Sequence, residues 1–156
     1  MSLERVKNYL KKFGKDKDVL EVNESTATVE LAAAALNTEE ARIAKSLSFY
    51  NGDSAMIIVT AGDAKIDNKK FKERFGFKGR MLTPEDAVKF TGHAVGGVCP
   101  FALPDNVIVY LDNSMKRFET MFPACGTDNS AIRLTLDELE KISEAEGWID
   151  VCKNWK

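Results

Sequence analysis

TGHAVGGVCPF, the stretch at residues 91–101, constrains the fold of this chain more than any other stretch. Three glycines fall within six residues and Pro100 follows them, which is unsuited to the interior of a helix or strand. Glycine permits unusual backbone dihedrals and close approach of a ligand, and Pro100 disfavours a helical conformation at Cys99. The stretch predicts a rigid loop whose backbone N–H groups converge on one point, which suits a phosphate or a developing oxyanion. An ordinary connection between strands is the alternative interpretation.

The segments around this loop predict a mixture of helices and strands. Residues that can cap a helix precede several helical patterns, and Thr135 with Glu138 has the form of a capping box. Helices are predicted from Ser2 to Gly14, from Thr28 to Leu36, from Thr38 to Leu47, over 67–75, from Thr83 onward, and from Thr135 to near Gly147. Strands are predicted over 19–22, 55–59 and 107–111. This order indicates one compact α+β domain over residues 1–156.

The composition narrows the class of protein. No apolar run is long enough to span a membrane, and the N-terminus lacks the apolar core of a signal peptide. The cysteines Cys99, Cys125 and Cys152 are widely spaced without a Cys-x-x-Cys pair, and one histidine cannot make a multi-histidine metal site. We therefore expect a cytoplasmic protein with no structural metal, no cofactor and no membrane contact.

A basic segment over residues 65–80 stands out from a chain whose net charge is −2. Basic side chains are dense there, while acidic residues dominate the C-terminal part of the chain. A basic segment of this kind could contact the phosphates of one RNA arm, or it could be a solvated helix face. The candidate RNA-binding side chains are Lys69, Lys70, Lys72 and Arg74.

Three segments in order, ARIAKSLSF at 41–49, GHAVGGVCPF at 92–101 and VIVYLD at 107–112, carry a family resemblance. Together they resemble the YbaK/EbsC family of aminoacyl-tRNA deacylases, which edit mischarged tRNA, notably tRNA for proline. The resemblance runs from about Val22 to about Ile142. The resemblance implies a YbaK-like fold, with a mixed β-sheet surrounded by helices, and an aminoacyl-tRNA substrate.

The resemblance also implies a division of roles in the site. A lysine at the spacing of Lys45 is usually solvated, but in this family it is the characteristic functional residue, which would hold the terminal ribose, a phosphate or the ester carbonyl oxygen. Backbone amides of Gly96 and Gly97 would stabilise the oxyanion. The candidate substrate-binding residues around them are Ser46, His93, Val98, Cys99, Pro100 and Ser130. Ser130 belongs to a stretch similar to the family's small-residue turn, although Cys125 and Ser130 depart from its common form.

The attacking group is a separate question. Cys99 with His93 as its base would make a thiol nucleophile, but the spacing offers no geometric support for this pair. Family members work without an enzyme nucleophile, using ordered water or groups of the substrate. For His93 we favour a structural hydrogen bond. Asp112 and Asp128 could orient water or the substrate amine, and neither is assigned a role.

Two other functions remain open at this stage. The predicted helices 28–36 and 38–47 superficially form a helix-turn-helix DNA-binding module, although Glu39 and Glu40 would occupy its base-reading end. A non-catalytic protein that binds aminoacyl-tRNA or a synthetase would keep the same pocket. Because Lys45 is present, we expect a deacylase acting on tRNA for proline that carries cysteine, alanine or serine, with a synthetase as a second candidate partner and no DNA.

Overall fold

A six-stranded mixed sheet forms the centre of the protein, whose computed structural model describes residues 2–155. With strands numbered in chain order, the sheet runs Leu134–Thr135 (β8), Thr120–Pro123 (β6), Ile43–Asn51 (β2), Ser54–Ala61 (β3), Ile108–Asp112 (β5) and Gly147–Ile149 (β9). Two small antiparallel sheets join Leu20–Glu21 (β1) to Ser130–Ala131 (β7) and Lys65–Ile66 (β4) to Cys152–Lys153 (β10). Strand β3 is central and buried over residues 55–61, as its continuous apolar run predicts.

Five α-helices surround this sheet within residues 2–155, and local capping chemistry fixes most of their ends. The side chains of Thr28, Asp67 and Thr83 accept hydrogen bonds from the first turns of three helices. The helices are Ser2–Lys11 (α1), Val29–Leu36 (α2), Asn68–Phe75 (α3), Pro84–Thr91 (α4) and Leu136–Ser143 (α5). The fold is therefore α+β, and this prediction is confirmed.

The last helix begins as predicted and ends earlier. Thr135 and Glu138 form the capping box. The helix ends at Ser143, and Glu144 takes a left-handed conformation with φ 53°. The prediction of an end near Gly147 was wrong, because Gly147 already belongs to β9.

The predicted helix from Thr38 to Leu47 is also wrong, since this segment is a short 3-10 turn followed by β2. The 3-10 turn covers Glu40–Arg42, and β2 then pairs antiparallel with β3 from Ala44 to Asn51. Large side chains at Ile43, Leu47 and Phe49 recur with the period of two that a strand requires. Without a second helix there is no helix-turn-helix, and the DNA-binding interpretation falls with it.

Among residues 2–155, the edge of β2 that faces away from β3 is paired only at its two ends. At its start β2 pairs with β6 through Ile43 and Ala44. Near its end the chain at residues 80–82 bonds to Ser48 and Tyr50. Residues 45–47 lie between these contacts, and the sheet opens there into a cavity.

Candidate active site

A cavity of about 540 Å³ lies at the opening in the sheet. Its walls are mostly apolar, with a few polar groups among them, as is common for small-ligand sites. Met81 and Val95 belong to the lining and remain 52% and 64% exposed, so they lie where the cavity meets solvent. The lining comes from residues 26–29, Ala32 and Leu36 of α2, residues 43–48 of β2, Met81, Leu82 and Pro84, Val95, Gly96 and Val98, Phe122 and Ala124, and Ser130 and Ala131.

Lys45 lies on β2 in the wall of this cavity and is partly buried. Its Nζ donates a hydrogen bond to the backbone carbonyl of Ala64. Burial lowers the pKa of the Lys45 ammonium, because a charge is harder to hold away from water.

The chain that accepts the Lys45 hydrogen bond is held firmly in place. Both oxygens of Asp63 accept hydrogen bonds from the Arg117 guanidinium, at 2.9 and 2.6 Å, and this interaction lowers the pKa of the Asp63 carboxyl. Gly62 packs so closely that a Cβ there would lie 2.1 Å from the carbonyl oxygen of Glu40. The Ala64 carbonyl is thus a fixed acceptor.

The glycine loop forms a tight turn at the cavity. Gly96 has φ +95° and lines the cavity, and the N–H of Gly97 donates to the carbonyl of Ala94 at 2.9 Å. A turn of this form needs a residue with positive φ at its third position, which favours glycine. Within residues 2–155 the backbone N–H groups of Gly96 and Val98 donate to no protein acceptor. These two amides therefore differ from that of Gly97, which is used to close the turn.

Gly97 packs against a distant part of the backbone, a contact that the sequence pattern does not indicate. A Cβ at Gly97 would lie 2.6 Å from the carbonyl carbon of Gly126 and 2.7 Å from the amide nitrogen of Thr127. The two backbones therefore touch, and only glycine allows this contact. The turn rests on the segment that leads into Ser130, whose Oγ lies 2.7 Å from the Thr127 hydroxyl.

His93 and Cys99 lie beneath the loop, outside the cavity lining, and both are fully buried. His93 Nε2 is 2.8 Å from the carbonyl oxygen of Phe101, which can only accept, so this nitrogen carries a hydrogen. Burial lowers the pKa of His93, and burial raises the pKa of the Cys99 thiol to about 12. Cys99 Sγ lies 3.5 Å from a nitrogen that is already donating elsewhere. The pair is not an activated nucleophile, and the structure gives His93 a structural hydrogen bond.

The other candidate substrate-binding residues divide between the cavity and its surroundings. Pro100 is buried and lines a separate space of about 240 Å³ beside Tyr9, so the structure does not bring it to the site. Ser46, Val98 and Ser130 all line the main cavity.

Thr26 was not singled out from the sequence, yet it lines the cavity with a buried hydroxyl. The Oγ atoms of Thr26 and Ser46 have no hydrogen-bond partner within the described part of the chain. Thr26 reaches the site because its N–H bonds to the carbonyl of Asp128, far along the sequence. No sequence pattern signals such a contact.

Asp112 and Asp128, which the sequence analysis left without a role, both lie outside the cavity lining. Asp112 is fully buried and accepts 2.9 Å hydrogen bonds from the amides of Ser114 and Val151. Asp128 is exposed, and its Cβ lies 3.5 Å from the position of a Cβ built on Gly96. Neither carboxylate belongs to the cavity lining.

The basic segment forms α3 and the turns around it. Lys70 Nζ bonds to Asp150 at 3.1 Å and to the carbonyl of Cys152 at 3.0 Å, and the Arg74 guanidinium lies over the rings of Phe75 and Tyr110. Lys69 and Lys72 are exposed and make no side-chain hydrogen bond or ion pair within residues 2–155. Two of the four candidate RNA-binding side chains are thus fully available to a partner.

The comparisons with known proteins place these features in a family. The model of the aminoacyl-tRNA editing domain matches residues 23–142. The chain belongs to this family. The resemblance to YbaK-like deacylases is therefore confirmed, and the matched segment contains both Lys45 and the 94–97 turn.

Three relatives illustrate the range of the family. The uncharacterized protein YwhH of Bacillus subtilis is 54% identical over the full length of both chains. The proline–tRNA ligase of Lactiplantibacillus plantarum is 24% identical over 80% of this chain, which corresponds to 22% of the ligase. A crystal structure of a proposed trans-editing enzyme for prolyl tRNA synthetase superposes with a TM-score of 0.87 and 31% identity, covering 97% of each chain.

No helix in the described part of the chain is both long and apolar enough to cross a membrane. Among residues 2–155, no group of three or more His, Cys, Asp or Glu side chains is arranged to hold a metal ion.

Proposed function

We propose that the protein is a trans-editing deacylase that hydrolyses the ester between a small amino acid and the 3′ end of a tRNA, with tRNA for proline as the expected substrate. One observation carries this proposal: Lys45, Gly96 and Val98 line the same cavity, and the amides of Gly96 and Val98 have no protein acceptor within residues 2–155. A cation and preorganised N–H donors around one space are what an acyl ester needs when its carbonyl oxygen becomes an anion.

In this proposal the Gly96 and Val98 amides stabilise the tetrahedral oxyanion. Preorganised donors of this kind are worth roughly 3 kcal/mol each when one is removed. Gly97 supports them indirectly, because its own N–H closes the turn and its lack of a side chain lets the turn rest on Gly126. Lys45 leaves the Ala64 carbonyl and binds an oxygen of the terminal ribose, its phosphate or the ester.

Water is the proposed nucleophile, since the structure offers no activated side chain among His93 and Cys99. The water oxygen bonds to the ester carbon, and the tetrahedral intermediate then releases the ribose oxygen. One proton from the water passes to that oxygen, which leaves a free amino acid and an uncharged tRNA. We propose that a group of the substrate takes this proton from the attacking water and then donates it to the leaving ribose oxygen.

We propose that the cavity selects acyl groups by their fit to its apolar walls. Leu36, Ile43 and Phe122 bound the cavity with side chains that cannot hydrogen-bond to a substrate. A missing or extra methylene is worth about 1–3 kcal/mol in such a pocket, so a small mischarged residue can enter where the cognate one fits poorly. Cysteine, alanine and serine are the expected acyl groups.

The proposal is tested by deacylation of labelled Cys-, Ala-, Ser- and Pro-tRNA for proline by the wild type and by Cys99→Ala. We expect turnover of at least one small mischarged species, little turnover of Pro-tRNA, and retained turnover by a folded Cys99→Ala variant. Binding without hydrolysis of any member would contradict the enzyme and favour a non-catalytic protein that binds aminoacyl-tRNA or a synthetase. Loss of turnover in folded Cys99→Ala would restore the thiol nucleophile.

A further inference from the structure

The cavity wall contains a stretch of strand edge that pairs with no other strand in the described part of the chain. Strand β2 bonds to β3 along one edge, and its other edge is covered by β6 up to Ala44 and by the chain at Leu82 from Ser48 onward. Between these points lie Lys45, Ser46 and Leu47, which all line the cavity. An open edge presents unpaired N–H and C=O groups to whatever enters.

The pairing pattern shows which backbone groups are open. In an antiparallel pair, alternate residues direct both backbone groups toward the partner strand. The N–H of Tyr50 bonds to Arg80 and the carbonyl of Ser48 bonds to Leu82, so the even-numbered residues of β2 point away from β3. By the same alternation, the N–H and C=O of Ser46 and the N–H of Ser48 point into the gap.

These groups lie unsatisfied in surroundings that are mostly apolar. Within residues 2–155, Ser46 N–H and Ser48 N–H have no protein acceptor, and the hydroxyls of Ser46 and Thr26 are also unpaired. A buried polar group without a partner is costly, and native structures rarely keep several together unless a ligand or water satisfies them. Their concentration in one wall marks that wall as a binding surface.

The gap has the length of one amino-acid residue. An amino acid attached through its carboxyl group carries an amine and a carbonyl on either side of its α-carbon. A strand residue uses the same two groups, at the same spacing, to pair with a residue of the neighbouring strand. Beyond the gap, the edge of β2 is already paired with β6 on one side and, from the Ser48 carbonyl onward, with the chain at Leu82 on the other. A longer, strand-like segment would collide with one of these two ends.

We propose that the open edge of β2 at Ser46 pairs with the aminoacyl group as a single added strand residue, so that the site accepts only amino acids with a free α-amine. The Ser46 carbonyl accepts a hydrogen bond from the α-amine, and the Ser46 N–H donates to the ester carbonyl. Acylation leaves one N–H on that nitrogen, but it removes the positive charge and extends the ligand toward the closed end of the gap. This inference rests on the proposed function and adds a substrate class to it: unblocked aminoacyl esters, to the exclusion of N-acylated and peptidyl ones.

Amide hydrogen exchange tests the inference without relying on turnover. The ligand is 3′-alanylamido-3′-deoxyadenosine, a non-hydrolysable mimic of the aminoacylated end, and its N-acetyl derivative is the control ligand. We expect the Ser46 and Ser48 amides to exchange faster than those of Leu47 and Phe49 in the free protein, because the latter bond to β3. Binding of the free-amine ligand should slow the exchange of Ser46 and leave that of Leu47 unchanged.

A matched rate measurement completes the test. Hydrolysis of N-acetyl-Ala-tRNA should be roughly 10- to 100-fold slower than that of Ala-tRNA, because the acetyl group removes the charge that strengthens this hydrogen bond and overlaps the closed end of the gap. Equal rates for the two tRNAs, or a bound ligand that leaves Ser46 exchange unchanged, would overturn this inference and leave the deacylase proposal standing. If no free-amine tRNA were hydrolysed, the deacylase proposal would be overturned instead. If, in addition, neither ligand changed the exchange of Ser46, the proposed pairing with the edge of β2 would be overturned as well.

Discussion

At the scale of single residues, the environment of Lys45 is what separates it from the other lysines. Its spacing alone is that of a solvated side chain, and only the family resemblance singled it out. In the structure it is partly buried in a cavity wall and donates to the Ala64 carbonyl, which the Asp63–Arg117 pair holds in place. A sequence pattern does not contain this information, because residues 45, 63 and 117 come together only through the sheet.

Burial of Lys45 has a measurable consequence for its titration. Desolvation lowers the pKa of Lys45 below the ordinary value of 10.5, whereas the hydrogen bond to Asp150 raises that of Lys70. As the pH rises, Lys45 should therefore lose its proton before Lys70 does. Carbon-detected NMR of the two Cε resonances measures both titrations, with Lys45→Ala used to assign its signal. A Lys45 pKa equal to or above that of Lys70 would contradict the buried position.

At the scale of elements, capping chemistry was predictable and the identity of β2 was not. Thr28, Thr83 and Thr135 each cap a helix by bonding amides a few residues ahead, so the signal is local in sequence. The segment at 38–47 has no comparable local signal. Its alternating large and small side chains fit a strand, and its pairing with β3 makes it one. Propensity alone favoured the wrong element.

The rigid loop that contains the turn at residues 94–97 was predicted from the sequence. The backbone contact that supports this turn was not. The glycines indicated unusual dihedrals, which Gly96 confirms with φ +95°. The contact between Gly97 and Gly126 joins segments about thirty residues apart and leaves no local trace in the sequence.

Gly97→Ala should disturb this turn more than the rest of the protein. Its Cβ would lie 2.6 Å from backbone atoms of Gly126, so one of the two segments must move. Overpacking of this kind costs about 1–3 kcal/mol, and the displaced Gly96 and Val98 amides should lower the deacylation rate further. Denaturant unfolding and single-turnover deacylation measure the two effects.

Gly147→Ala is the matched control for this change. A Cβ at Gly147 has open space around it, and its φ is not positive. We expect near-wild-type stability and deacylation from this variant. If Gly97→Ala behaved like Gly147→Ala in both assays, the supporting contact would have no importance for the site.

At the scale of the whole molecule, charge is distributed unevenly over a protein whose net charge is only −2. The basic helix α3 begins at Asn68, four residues after Ala64, whose carbonyl accepts the Lys45 hydrogen bond. The basic helix and this acceptor therefore lie close together in the sequence. Lys70 and Arg74 are engaged with Asp150, Cys152 and aromatic rings, and Lys69 and Lys72 are open to a phosphate partner. Sequence reasoning identified the segment, and the structure distinguishes the side chains within it.

Replacing Lys69 and Lys72 with glutamate should weaken tRNA binding and reduce its dependence on salt. Each lost phosphate contact lowers the slope of log affinity against log salt by about 0.7–0.9, since fewer counterions are released on binding. Filter binding across a salt series measures this slope. Lys17→Glu with Lys141→Glu makes the same charge change at exposed positions outside the basic segment. Equal slopes for both double variants would assign the effect to net charge and contradict a contact at α3.

The central claim is that Lys45 in the cavity drives hydrolysis of an aminoacyl-tRNA ester, and single-turnover deacylation tests it most directly. The rates to compare are those of the wild type, Lys45→Ala and Lys116→Ala, whose lysine lies over the Trp148 ring and lines neither cavity. We predict that Lys45→Ala slows hydrolysis of the preferred mischarged tRNA by roughly 100-fold or more, and that Lys116→Ala leaves it unchanged. A folded Lys45→Ala protein that deacylates at the wild-type rate would contradict the account.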